Sequence, residues 1–389
     1  MRDPRDPKER FKDFHAGRAN FSLLAIITCI LCGAVLKITG PVILPFIIAI
    51  LLALVMHPVL AIPARFRFPR LISILMATTL IVAGLFFIGV VIFSSGRNIL
   101  SLYPKYEKRL TEIYLYMAQF FELTYDEQLG FFQNLWAQLG LRSRITMFTF
   151  SLSNNFVIFI RNAVMVVLFM VFILFEAVFM KEKLDTAFEG KRAHQIKKIG
   201  SDMMRQISRY LSIKFIISVV NGAVVGLLLY MIGLEFALVW GILQFLLNFI
   251  PVLGSIAVGV LVSVFALLQF WPDPQPIILA VVIMLGSNII IGNILEPKIM
   301  GDNLGLSPIV VLLSLMIWGF LWGFAGMVLA VPMMVTIKII CENVPVLESI
   351  SIILGSRKSV LRKKAEYDEA KKAEADSSES SGAEQSLLL

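Results

Sequence analysis

The residues from Phe236 to Phe270 form a run of 35 positions without a charged side chain. One membrane-crossing helix needs about 20 apolar residues, so this run exceeds the length of a single span. Similar runs recur along the chain, which is 58% hydrophobic, only 16% charged and has a mean hydropathy of +0.83. A soluble domain carries more charge and shorter apolar runs. The sequence predicts an all-α, polytopic transmembrane bundle in a lipid bilayer, with six to eight spans.

Charge and hydropathy divide the chain into seven parts. In order, we expect a cytoplasmic basic tail (1–20), three scaffold spans (21–94), an extracytoplasmic amphipathic helical insert (95–153), a fourth span (154–180), a cytoplasmic basic loop (181–209), a transport region with broken helices (210–342) and a largely disordered cytoplasmic tail (343–389). Lys and Arg concentrate on the cytoplasmic side of membrane proteins, which places both termini there. Residues 132, 135, 136 and 139 give the insert an apolar helix face, which favours packing on the bundle over a ligand lid.

Two long apolar segments in the transport region are interrupted by helix breakers. Pro251 and Gly254 interrupt 236–270, and glycines and Pro332 interrupt 309–340. Each segment is either one long kinked helix or a helical hairpin that enters and leaves by one face, and both alternatives give an even number of crossings. The linker 271–276 contains no Lys or Arg, which favours an outer position and therefore hairpins. The predicted breaks are Pro251, Gly254, Pro297, Gly319, Gly323 and Pro332.

Polar residues accompany these breaks. Gln244 and Asn248 share a helix face directly before Pro251, whose ring removes an N–H donor and frees a carbonyl one turn back. Broken helices in transporters present such carbonyls and polar side chains to a solute or a cation. The candidate path for a small polar solute or monovalent cation is Gln244, Asn248, Pro251, Gly254, Asn288, Asn293 and Glu296.

Glu296 is the candidate titratable coupling residue of the transport region. Helix geometry places Asn293 and Glu296 on one face, and Pro297 is expected to end their helix. The equally weighted alternative is a structural role for Glu296, as a salt bridge to Lys298 or as an interfacial carboxylate. We expect another ion pair between Glu176 and Lys214, because both lie near the cytoplasmic ends of their spans.

Other kinds of chemistry lack their motifs. The sequence has no G-x-x-x-x-G-K-[ST], H-E-x-x-H or G-x-S-x-G, and Cys29 and Cys32 have no second Cys or His pair to complete a zinc site. We therefore predict no enzyme activity, no cofactor and no metal site. The net charge of +8 is explained by membrane topology, and no groove-reading motif indicates nucleic acid.

The polar stretch resembles a known family. N-I-L-E-P-K-I-M-G-D-N-L-G-L-S-P-I-V-V-L-L-S-L (Asn293–Leu315) and W-G-F-A-G-M-V-L-A-V-P-M (Trp322–Met333) resemble the C-terminal signature of the autoinducer-2 exporter family. N-F-I-P-V-L-G-S (Asn248–Ser255) is similar to its F-I-P-x-x-G-P element, with Ser255 where many members have proline. The resemblance implies a bacterial inner-membrane permease, exporting autoinducer-2 or exchanging sodium or lithium for protons. It also implies a pentameric homo-oligomer with an elevator-like motion.

Three functions follow as hypotheses. The first is a secondary transporter of a small polar solute, in which 236–342 moves against a scaffold of spans one to three. The second is a sodium (or lithium)/proton antiporter on the same fold. The third is a non-transporting membrane scaffold, and the amphipathic insert and the charged tail support this hypothesis.

Overall fold

The computed structural model describes residues 23–24, 27–28, 30–56, 58, 60, 69–120, 141–187, 190–251, 253–300, 305–356 and 360–361. The predicted basic tail, the apolar face at 132–139 and most of the predicted C-terminal tail lie outside them. In chain order the helices are α1 (Ile30–Ile38), α2 (Gly40–Val55), α3 (Arg70–Phe120), α4 (Leu141–Ala187), α5 (Gly190–Met231), α6 (Ala237–Leu247), α7 (Leu253–Phe270), α8 (Pro274–Ser287), a π-helix (Asn288–Leu295), α9 (Glu296–Met300), α10 (Pro308–Asn343) and α11 (Glu348–Leu354).

The predicted all-α class is confirmed. Within the described ranges the β interaction is limited to a single bridge between Leu306 and Gly355. Among the described residues, six helices are long and apolar enough to cross a membrane by length and composition alone, and the pair α1–α2, bent by 87° at Thr39, raises the number to seven. The six are Leu71–Gly96, Asn154–Ala177, Lys197–Met231, Leu253–Phe270, Pro274–Ile299 and Pro308–Asn343.

Helices α6 and α7 form a hairpin, hereafter hairpin 1 (237–270). In one continuous helix, Phe236 and Phe265 would lie about 44 Å apart. Their ring centroids are instead 5.8 Å apart, and the Glu235 amide donates to Gln269 Oε1 at 2.7 Å. The first and last residues of the hairpin therefore lie side by side, and the turn between its two helices, which includes Asn248 and Leu253, forms its tip.

Helix α10 also folds back, at Trp322 and Gly323. The backbone there leaves the helical region, and Gly323 has φ +62°, which glycine adopts without the strain of a Cβ. Ser314 Oγ donates to the Ala330 carbonyl oxygen at 2.9 Å, although a straight helix would separate the two residues by about 24 Å. Hairpin 2 thus has arms 308–321 and 324–343. Both broken segments therefore fold back on themselves, as the hairpin alternative expects, and entry and exit by one membrane face stays a prediction.

The buried apolar side chains form two main clusters. One joins α2, α3, α4 and the middle of α5 with the second arm of hairpin 2. The other joins the end of α5 with hairpin 1, α8 and both arms of hairpin 2. Hairpin 2 therefore packs against both the N-terminal helices and the helices that surround hairpin 1.

Helix α3 continues far beyond its apolar part. Its 51 residues extend over about 76 Å, more than twice the thickness of a hydrocarbon core. The part after Gly96, hereafter the α3 extension (97–120), packs on the base of hairpin 1. Tyr106 contacts Phe265 and Tyr116 contacts Trp271, with ring centroids 5.3 and 5.1 Å apart. We expected the insert to pack on the helix bundle, and this portion of it does.

The turn of hairpin 1 requires a glycine at position 254. A Cβ built there would lie 1.8 Å from the Leu247 carbonyl oxygen, a distance at which backbone must move. We expect Gly254→Ala to lower the free energy of unfolding by about 1–3 kcal/mol or more, since overpacking forces such shifts. Thermal unfolding of the purified protein in detergent measures this effect.

Gly259→Ala is the matched control, because it lies on the same helix and its Cβ would meet nothing closer than 3.9 Å. Equal unfolding midpoints for the two variants would show that the turn is not tightly constrained.

Candidate functional site

Helix α5 carries a line of polar side chains through its apolar part. Lys214, Ser218 and Asn221 are spaced i, i+4 and i+7, which places them on one helix face. Their exposed fractions are 5%, 0% and 1%. We call these three residues the polar stripe. Polar groups in an apolar protein interior are costly unless they are hydrogen-bonded, and each stripe residue has a partner.

Asn248, at the tip of hairpin 1, bonds to the middle of the stripe. Its Nδ2 donates to Ser218 Oγ at 2.9 Å, and its Oδ1 accepts from Asn221 Nδ2 at 3.2 Å. All three side chains are buried. Pro251 lies in the same turn, just after the end of α6, so the predicted break places a predicted site residue against α5.

Glycines bring the two helices close enough for these bonds. A Cβ on Gly222 would lie 2.6 Å from the Gly241 carbonyl oxygen, and a Cβ on Gly241 would lie 2.7 Å from that of Gly222. Small residues allow such backbone approach between membrane helices. The backbone of α6 therefore lies directly against α5 at Gly222 and Gly226, next to the polar stripe.

Gln244 is buried one turn before Asn248 and has no hydrogen-bond partner among the described residues. It is 1% exposed, and both its Oε1 and its Nε2 are unpaired. A buried polar atom without a partner costs about 1–3 kcal/mol. Trp240 Nε1 and Asn221 Oδ1 are also buried and lack a partner in the described part of the chain. Within that part, two donor groups and two acceptors of this region are available to a polar ligand.

Glu296 pairs with Lys214 of the polar stripe. Its Oε1 lies 2.5 Å from Lys214 Nζ, and the two side chains are 17% and 6% exposed. Both predicted ion pairs, Glu176 with Lys214 and Glu296 with Lys298, are wrong. Glu176 bonds to Lys183 on its own helix, and Glu296 bonds to Lys214. Since α9 lies against α5, the cation that neutralises Glu296 is on another helix.

The helix does not end at Pro297. It continues to Met300, and the segment before the proline, Asn288–Leu295, is a π-helix. π-Helical turns with i→i+5 hydrogen bonds are rare and concentrate at functional sites. They also change which residues share a face. Asn293 is exposed and Asn288 half-buried, so Asn293 does not join Glu296 beside the stripe.

The remaining predicted breaks differ in what they do. Gly323 forms the turn of hairpin 2, and Gly319 faces Met327 across its arms, where a Cβ would lie 2.8 Å from Met327 Cγ. Pro332 was expected to break the helix, but it lies buried inside the second arm, which continues to Asn343. A proline removes the N–H that would bond to the carbonyl a turn back, and its ring crowds that carbonyl, but the packing of this buried arm compensates for both effects.

Sequence reasoning missed Ser218 and Asn221. The signal was present, because a lysine, a serine and an asparagine at helical spacing interrupt the apolar residues of α5. The sequence does point to Lys214, but its partner cannot be identified without knowing which helices are neighbours.

A helical hairpin whose tip bonds to a buried polar stripe, next to a second broken helical segment and within a bundle of apolar helices, is typical of a membrane transporter. The chain belongs to the AI-2E transporter family, because its residues 24–345 match the sequence model of that family, described as "AI-2E family transporter". It is therefore a multi-pass membrane transport protein, and the predicted resemblance and transport function are confirmed.

Relatives support this assignment over most of their length. The AI-2 transport protein TqsA of Escherichia coli K12 is 29% identical over 342 residues, 86% of this chain and 94% of the relative. A Haemophilus influenzae protein named "Putative transport protein" is 31% identical over 342 residues, 86% of this chain and 96% of the relative. A Borreliella burgdorferi protein of the same name is 30% identical over 332 residues, 85% of this chain and 89% of the relative.

The Lys214–Glu296 pair yields a stability prediction. Removing one partner of a buried pair leaves an uncompensated charge and costs about 3–5 kcal/mol. We expect Lys214→Met and Glu296→Leu each to lower the unfolding free energy by that amount, and the double variant to recover most of the loss. Unfolding in detergent, analysed as a double-mutant cycle, measures the coupling.

Glu176→Gln is the control, because the Glu176 and Lys183 side chains are 54% and 61% exposed. Such exposed pairs contribute about 0–1 kcal/mol. Additive losses in the Lys214 and Glu296 variants would contradict the pairing.

Proposed function

We propose that this protein transports a small, uncharged polar solute and that the tip of hairpin 1 binds it. The observation that carries the proposal is Gln244, a buried side chain whose two amide atoms have no partner among the residues that the structure describes, next to Asn248 at the helix break. An amide offers both a donor and an acceptor, as does a solute hydroxyl group. A solute that moves through this region would exchange its bonds to water for bonds to these groups.

The charges near the site support an uncharged solute. Gln244, Asn248, Ser218 and Asn221 are neutral, and the ion pair beside them, Lys214 with Glu296, has no net charge. A bare cation would require an unpaired carboxylate or several carbonyl oxygens directed at it. Autoinducer-2, the substrate in the name of the relative TqsA, is a furanosyl signal, and we propose this class of solute as the first to test.

The transport prediction concerns Gln244. In vesicles that contain the purified protein, we expect Gln244→Leu to reduce autoinducer-2 flux about tenfold or more, because one lost hydrogen bond to the solute contributes about 1 kcal/mol and the leucine removes two. Gln275→Leu is the matched control, since that glutamine is exposed at the start of α8. Equal flux in the parent and Gln244→Leu would remove hairpin 1 from the path.

Cation/proton antiport is the second candidate, because Glu296 is a carboxylate at the candidate site. Its ion pair with Lys214 argues that it serves structure rather than cation binding. The same vesicles, filled with a pH-sensitive dye, distinguish the two functions. Antiport predicts a proton signal after a sodium or lithium pulse that Glu296→Gln abolishes, whereas solute transport predicts no signal in either protein.

We also propose that the protein lies in the bacterial inner membrane as a homo-oligomer with both termini in the cytoplasm. The loop 181–209 carries eight Lys or Arg and four acidic residues, which supports a cytoplasmic position. The base of hairpin 1 would then face outward. A cysteine at Asp273 should react with a membrane-impermeant reagent in intact cells. Native mass spectrometry tests the oligomer, for which the family resemblance implies five copies.

A further inference from the structure

The turn that leads into hairpin 1 has an unusual backbone. Gly233 has φ +77° and Phe236 has φ +60°. A positive φ is strained for a bulky residue such as phenylalanine, and such strain persists only where surrounding contacts hold it. Glu235 lies between these two residues. Its backbone and side-chain contacts therefore act directly on this turn.

Both carboxylate oxygens of Glu235 bind the α3 extension. Lys105 Nζ lies 2.5 Å from Oε1, and the Tyr106 hydroxyl donates to Oε2. From the other side, Gln269 Oε1 accepts from the Glu235 amide and Gln269 Nε2 donates to the Gly233 carbonyl oxygen, each at 2.7 Å. The strained turn is thus held both by its own hairpin and by a separate helix.

Tyr106 is suited to hold this carboxylate. Burial, the hydrogen bond to Glu235 and the charge of Glu235 together raise the pKa of the Tyr106 phenol above its ordinary value. The phenol therefore stays protonated and continues to donate throughout the neutral range. Its ring also packs on Phe265, at a centroid distance of 5.3 Å, so one side chain contacts both ends of hairpin 1.

Beside these bonds and ring contacts, α3 and the base of hairpin 1 do not pack closely everywhere. A partly open cavity of about 570 Å³ lies between them, lined by Ser94, Leu102, Tyr230 and Leu238 among others. Close packing resists displacement, whereas a cavity beside a hairpin leaves room for it. The hydrogen bonds of Glu235 bridge the two elements at the edge of this cavity.

We propose that Lys105, Tyr106 and Glu235 form a clamp that holds hairpin 1 in the conformation described here, and that transport requires the clamp to open. The three are positioning residues, because they hold the hairpin that carries the proposed binding residues and do not touch the solute themselves. The link to transport rests on the proposed function of hairpin 1, whereas the opening itself can be measured without any solute.

The test measures the distance between the two elements by double electron–electron resonance. Spin labels are attached to cysteines at Lys108, on the α3 extension, and at Gln275, directly after hairpin 1, in a full-length chain whose native cysteines are replaced. We expect Glu235→Gln to increase the population at longer distance about three- to tenfold, the range for a partly exposed charge-assisted hydrogen bond.

Lys105→Met and Tyr106→Phe are the second and third variants, and each should give a smaller increase than Glu235→Gln. Tyr106→Phe removes only the hydroxyl and keeps the ring against Phe265. The matched control is Glu112→Gln, which removes a carboxylate from the same extension. That carboxylate accepts a hydrogen bond from Arg109 on its own helix. Distance distributions identical to the parent in all three clamp variants would overturn the proposal.

A second measurement connects the clamp to transport. Cysteines at Lys105 and Glu235 are joined by a reducible bifunctional thiol reagent, and autoinducer-2 flux is recorded before and after reduction. We expect flux to fall about tenfold or more in the joined protein and to recover on reduction, because the hairpin is held. Cysteines at Arg109 and Glu112, joined within one helix, control for the reagent.

The outcomes separate the two proposals. Unchanged flux in the joined protein, with normal flux in the parent, overturns the clamp. A longer-distance population in Glu235→Gln, with no autoinducer-2 flux in any protein, supports the clamp and shows that the proposed solute is wrong.

Discussion

The close backbone contact between α5 and hairpin 1 is the constraint on which the site depends. With glycine at 222, 226 and 241, the two helices approach until each backbone nearly touches the other. At that separation the short side chains of Ser218, Asn221 and Asn248 reach one another directly. Larger residues at the glycine positions would hold the helices apart and leave three polar groups unbonded in an apolar interior, where each costs free energy.

Much of this arrangement could be predicted from local sequence. The apolar runs indicated the class of fold, and Pro251, Gly254 and Gly323 marked the turns of both hairpins, because proline and glycine act on the backbone at their own positions. The linker 271–276, which has no Lys or Arg, favoured hairpins over kinked helices. Gln244 and Asn248 lie close together as expected, since residues four apart on one helix share a face.

The errors concern the neighbours of helices and, at Pro297 and Pro332, the effect of a proline on its own helix. Depth in the membrane suggested Glu176 for Lys214, but depth does not say which helices touch, and α9 rather than α4 supplies the partner. The helix was expected to end at Pro297, yet a π-helix precedes the proline and the chain continues to Met300. A change from i→i+4 to i→i+5 hydrogen bonds leaves no trace in a pattern of apolar residues, so the exposed position of Asn293 could not be predicted.

The tip of hairpin 2 bonds to a part of the chain made much earlier. Trp322 Nε1 donates to the Leu36 carbonyl oxygen at 3.0 Å, and Lys37 Nζ lies 4.0 Å from the Phe320 ring centroid. Leu36 is in the last turn of α1, where carbonyl oxygens have no partner within the helix. During synthesis this oxygen is separated from its donor by 286 residues. The bend between α1 and α2 therefore receives this contact only after the ribosome has added all of the intervening chain.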